Sequence, residues 1–144
     1  MKQFPVAAAV VSLVVGIIIG AAFHPGVASY AQADTRVFEI RTYTTPPGKL
    51  DALNARFRNH TVKFFERHGM TNIGYWTPAD PPLSENTLIY VLAHKDREAA
   101  KKSWDAFRKD PDWLKARAES EAQGPVTSKV ESVFLNATDY SALK

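Results

Sequence analysis

Apolar and polar residues along this chain change their period at points that mark its elements. After Arg36 comes a β-forming stretch carrying Val37, Phe38, Ile40 and Tyr43, which Pro46-Pro47-Gly48 brings to an end. From about Pro47 to His68 the apolar positions Leu50, Leu53, Phe57, Phe64 and Phe65 recur at helical spacing, with Gly69 placed as a C-terminal cap. Residues 71–77 read as a second strand, the three prolines of 78–85 as a loop, and 86–94 as a third strand. Asp96 caps a second helix whose Ala100, Ser103, Trp104 and Phe107 share a face. Asp110-Pro111 opens a short third helix with Trp113 and Leu114, closed by Gly124-Pro125. Residues 126–135 form the last strand, with Val126, Val130 and Phe134 on one side.

The order β-α-β-β-α-α-β predicts an α+β, ferredoxin-like split βαβ fold, an antiparallel four-stranded sheet with helices on one face. Such a sheet should alternate apolar and polar residues along each strand. The third strand does not: Leu88, Tyr90 and Leu92 on one face and Ile89, Val91 and Ala93 on the other are mainly apolar. Both of its faces need cover. A second copy packed sheet against sheet supplies it, which predicts a homodimer in the form of a dimeric α+β barrel.

The first 33 residues follow a different grammar. Met1-Lys2-Gln3 precedes an apolar run from Val6 to Phe23, and Ala31 and Ala33 stand at −3 and −1 of a cleavage point before Asp34. A short basic start, an apolar stretch and small residues before the cut define a secretory signal. The expected organisation is therefore a signal peptide over 1–33 and one domain over 34–144, exported to a periplasm or secreted. The run is also about long enough to span a bilayer, so an uncleaved membrane anchor is the alternative.

Charge and cysteine content narrow the functions. The net charge is +3 at pH 7, and only Lys2 of the 18 basic residues lies in the leader, which leaves the mature part near +2. Basic and acidic residues alternate, with no basic stripe of the kind that nucleic acid requires. Cysteine is absent, which excludes disulfides, thiolate metal sites and a catalytic thiol. No phosphate-cradling glycine loop and no G-x-S-x-G elbow occurs.

Several short stretches, in order, resemble one family. Phe38-Glu39-Ile40-Arg41-Thr42-Tyr43 with Pro47-Gly48-Lys49-Leu50 looks like the start of a NIPSNAP domain. Phe57-Arg58-Asn59-His60, Glu66-Arg67-His68-Gly69, Ile73-Gly74-Tyr75-Trp76, Trp104-x-x-Phe107 and Asp110-Pro111-x-Trp113 continue the likeness. The resemblance implies the dimeric α+β barrel superfamily. Its members include cofactor-free monooxygenases, haem-degrading enzymes and binding domains, so the fold leaves the activity open.

Candidate chemistry gathers on the first strand. Glu39, Arg41 and Tyr43 lie two apart and share a face. If Phe38 and Ile40 face the helices, the trio points into the barrel with Tyr75 or Trp76 from the neighbouring strand. A carboxylate beside a guanidinium there would hold a polar ligand group or act as a base, or it would be an ion pair fixing register. Tyr90 joins this set, and His60 borders the apolar face of its helix, within reach of the sheet. His60 and His68 are too far apart to share a metal at the usual spacing, so no metal and no cofactor is expected. A hydrogen-bonded core histidine is the expectation for His60, with haem ligation by His60 or His94 as the alternative. Trp76, Trp104 and Trp113 are expected in the core. Together these residues point to a dimer that binds a small, partly apolar molecule. The alternatives are a cofactor-free oxygenase-like or haem-handling enzyme, and a protein–protein adaptor meeting its partner through the loop 78–85.

Overall fold

The computed structural model describes residues 36–144; the predicted leader lies outside them. Four strands, β1 (Val37–Thr44), β2 (Thr71–Trp76), β3 (Thr87–His94) and β4 (Lys129–Leu135), form one antiparallel sheet in the order β2-β3-β1-β4. That order, with β1 and β3 in the middle, is the ferredoxin-like arrangement expected from the sequence. The last strand is shorter than predicted. Val126 is buried but lies before β4, in the approach from Gly124-Pro125.

The long first helix forms with an interruption. Helix α1 (Leu50–Arg56) passes through a π-helical turn (Phe57–Thr61) into α2 (Val62–Arg67). At the turn the Val62 amide donates to the Phe57 carbonyl, one residue wider than an α-helical bond. The Thr61 hydroxyl donates to the Arg56 carbonyl at 3.3 Å. The extra residue rotates the helix, so Thr61 enters the buried face beside Phe57, Phe64 and Phe65 while His60 stays half-buried. His60 instead lines a shallow groove with Ala55, Ala116 and Glu119. Gly69 ends α2 at φ 75°, a left-handed position that suits glycine.

Helix α3 (Arg97–Lys109) starts where the Asp96 carboxylate accepts from the Ala99 amide at 2.7 Å. Helix α4 (Pro111–Ser120) starts on Asp110, which accepts from the Asp112 and Trp113 amides and has Pro111 behind it. Burial raises the Asp110 pKa, but bonds from His68, from those two amides and from Arg67 outweigh it and hold it at about 2. One carboxylate thus caps α4 and ties it to the end of α2.

Register decides which face of the sheet meets the helices. Glu39 pairs with Leu92, Arg41 with Tyr90 and Tyr43 with Leu88. Leu88, Tyr90 and Leu92 belong to the core with Leu53, Phe57, Phe65 and Trp104. Glu39, Arg41 and Tyr43 therefore face the helices, and Phe38, Ile40 and Thr42 face away, so the condition under which the trio would point into the barrel is not met. A bulge between Asn72 and Gly74 resets β2, which places Tyr75 on the core side against Tyr90 and Trp76 on the open face. Trp76 is 53% exposed rather than buried, and its indole lies over Gly74, where a Cβ would come within 2.5 Å of it.

The open face carries an apolar patch, with the exposed Lys129–Glu131 ion pair at one end. Phe38, Val91 and Leu135 are lined by the C-terminal segment through Ala137, Thr138 and Leu143, while Val133 and Trp76 stand exposed. On the core side Leu53 is fully buried. Leu53→Ala is expected to cost about 2–5 kcal/mol, measured by chemical denaturation with an unchanged slope.

Candidate functional site

Glu39 is 1% exposed, and an ionised carboxylate in that position is tolerated only if fully hydrogen-bonded. Four donors meet it. Arg41 Nη1 reaches Oε1 at 2.7 Å and Ser132 Oγ at 2.6 Å. Trp104 Nε1 reaches Oε2 at 2.6 Å and His94 Nε2 at 3.0 Å. Burial alone would raise the Glu39 pKa; the bonds from His94, Ser132 and Trp104 and the Arg41 charge overturn that and bring it to about 2. His94 is itself buried, with its Nε2 committed to Glu39. This is the ion pair of the sequence reading, extended into a network across β1, β3, β4 and α3.

Arg41 carries the network outward. Its guanidinium lies 4.2 Å from the centre of the Trp104 ring, a cation–π distance. Beyond it a cleft of about 210 Å³ opens between α3, α4 and the β1–β4 half of the sheet. Tyr43, Trp104, Phe107 and Trp113 supply its aromatic walls, and Thr127 and Val130 its β4 side. Arg56, Arg108, Arg117 and Glu121 join Arg41 along it. Arg56, with 4% of its side chain exposed, reaches Glu121 Oε1 at 2.9 Å, and Arg117 reaches Glu121 Oε2 at 3.2 Å. Arg56 also lies 5.5 Å from the centre of the Trp113 ring.

A model of the NIPSNAP domain matches residues 38–142, most of the chain. The chain belongs to the NIPSNAP family. Among solved structures, a NIPSNAP-like domain protein of Burkholderia xenovorans is 18% identical, with a TM-score of 0.65 over 75% of this chain and 90% of that one. A NIPSNAP family protein of unknown function from Agrobacterium tumefaciens is also 18% identical, with a TM-score of 0.67 over 78% and 96%. SnoaB, a cofactor-independent oxygenase of Streptomyces nogalater, is 14% identical, with a TM-score of 0.52 over 76% and 99%. At these identities the likeness is one of fold: an α+β protomer of the dimeric α+β barrel type. No curated protein matches the chain.

Within this NIPSNAP domain the candidate residues named from the sequence separate. Arg41 and Tyr43 line the cleft, and Glu39 anchors Arg41 from behind. Tyr90 is fully buried beneath them, donating to the Tyr43 hydroxyl at 3.1 Å, and burial pushes its own phenol well up. Tyr75 stacks on Tyr90 from the far side, its hydroxyl donating to Asn72. Trp76 is on the opposite face of the sheet and His60 in the groove between α1 and α4. Neither belongs to the cleft. Arg56, Arg117 and Glu121 do, and no sequence motif pointed to them. A basic residue at position 56, in an otherwise apolar helical stripe, was the available signal.

Glu39 gives a pH signature. Its folded pKa lies below the ordinary value of 4.5, so its contribution is present above about pH 4.5 and is lost as pH falls toward 2. The shift corresponds to about 3 kcal/mol. Glu39→Gln is expected to lose about that much stability at neutral pH and to show a flatter acid limb between pH 4.5 and 2. Urea midpoints measured across that range check both.

Proposed function

We propose that this NIPSNAP domain is an exported homodimer that binds a small, partly apolar molecule in the cleft between its sheet and helices α3 and α4. The observation that carries the binding reading is the cleft itself, where the part-buried Arg41 and the buried Arg56 stand among Tyr43, Trp104, Phe107 and Trp113. Ligand sites combine apolar walls with a few placed polar groups in this way. The volume of about 210 Å³ lies below the roughly 300–1,000 Å³ range of larger ligand pockets, so the molecule is small.

The dimer rests on the open face of the sheet. Trp76, Val133 and Leu135 are 53%, 55% and 42% exposed there, an apolar surface that a second sheet would cover. Export rests on the signal grammar of residues 1–33, with maturation before Asp34. Amino-terminal sequencing of protein made in an exporting host should begin at Asp34; retention of the leader would favour the anchored form.

Native mass spectrometry of residues 34–144 from the exporting compartment tests the main reading. A dimer carrying an extra small mass is expected, and a bare dimer would count against ligand binding. Val130 is 44% exposed on the cleft side of β4, paired with Tyr43. Val130→Trp should fill the cleft and remove the extra mass while changing stability by less than about 1 kcal/mol. Val133→Glu on the opposite face should yield monomers that still fold, because it would put a carboxylate into the apolar interface. A Val133→Glu protein that stays dimeric in sedimentation places the interface elsewhere.

A further inference from the structure

We propose that the occupant of the cleft is a small organic anion, with a carboxylate as its charged group. This rests on the cleft-binding reading above and names the chemistry it would select. Four guanidiniums line the cleft, those of Arg41, Arg56, Arg108 and Arg117, against the single carboxylate of Glu121. Two further acids pair with them from outside the lining, Glu39 with Arg41 and Asp105 with Arg108. Asp105 also holds Lys101, so even with these partners included the cations exceed the carboxylates. An anionic ligand offsets that excess; a neutral ligand leaves it.

The arginines also hold donors in reserve. A guanidinium carries five N–H groups, and Arg41 and Arg56 each direct one nitrogen at a carboxylate, through Nη1. The Nε of each is buried and has no hydrogen-bond partner among the described residues. An unmet buried donor is costly, and both guanidiniums keep hydrogen-bonding capacity beyond their present partners. The planar fork of a guanidinium matches the two oxygens of a carboxylate. Arg56 is nearly buried through its side chain, so its charge acts with little screening.

The organic part would meet an apolar wall. Phe107 and Trp113 lie 4.5 Å apart between ring centres at 31°, and Trp104 stands nearly perpendicular to Phe107 at 83°. These rings pack on one another and present one apolar side to the cleft. Glu121 bridges Arg56 and Arg117, so its carboxylate occupies the guanidiniums that an incoming carboxylate would use. The entering anion competes with Glu121.

Isothermal titration of the mature protein with naphthoate and with its neutral isostere naphthamide, at low salt, separates the parts of this claim. Naphthoate is expected to bind at least about tenfold more tightly than naphthamide. Arg117→Gln, at an exposed rim position, should weaken naphthoate roughly threefold and leave naphthamide unchanged. Glu121→Gln should strengthen naphthoate, and Arg108→Gln serves as a second rim variant should either of the others fold poorly. Equal affinity for the two probes overturns the anion claim and leaves the cleft as a neutral binding site. Binding of naphthoate that survives Val130→Trp places the anion outside the cleft and overturns the claim as well. Absence of binding by both probes overturns it together with the cleft reading.

Discussion

The rest of this structure depends on one buried charge. A carboxylate removed from water costs several kcal/mol unless its lone pairs are met, and Glu39 meets that condition through Arg41, Ser132, Trp104 and His94. Those donors come from β1, β4, α3 and β3. The two neighbours of β1 in the sheet and the helix above it are thereby held to one point. A one-residue slip of β1 would turn Glu39 to the open face and leave the buried Trp104 and His94 without their acceptor. The register of the central strand is fixed by charge as much as by apolar packing.

Trp104 shows how the same network builds the site. Its Nε1–H is spent on Glu39 and its ring face on Arg41. Arg41 is therefore held twice, by its ion pair to Glu39 and by the ring beside it, before any ligand arrives. Arg56 is held in a comparable way, by Glu121 and near Trp113. Ordering a long basic side chain costs rotamer entropy, and here folding has already met that cost. A ligand entering the cleft would meet rings and guanidiniums that folding has already ordered.

The sequence carried the fold well and the site in part, for reasons visible in particular residues. Strand order, the caps at Asp96 and Asp110 and the doubly apolar β3 follow from local pattern and turn chemistry, and the structure has them all. Local pattern lets Phe38 and Ile40 face the helices, the condition under which Glu39 would point into the barrel. Only the donors from distant Ser132, His94 and Trp104 make the opposite choice stable, and no local window contains them. His60 was misplaced because the π-turn at Phe57–Thr61 adds a residue to the helical repeat. Trp76 was misplaced because the bulge after Asn72 shifts β2 by one. Arg56, Arg117 and Glu121 meet across 65 and 4 residues, a long-range assembly that spacing does not announce.

The two sides of the sheet divide the work between them. The cleft is framed within one protomer by α3, α4, β1 and β4, so ligand contact does not require a second copy. The open face carries Trp76, Val133 and Leu135, none of which lines the cleft. The cleft and the open face are therefore lined by different residues, yet they share strands. Phe38 and Ile40 point to one side of β1 and Glu39, Arg41 and Tyr43 to the other. A partner sheet pressing on Phe38 and Ile40 would stiffen the backbone that carries Arg41. Any coupling between a second copy and the cleft would pass through β1 and β4, which both present side chains to the two faces: Val130 of β4 lines the cleft, and Val133 stands on the open face.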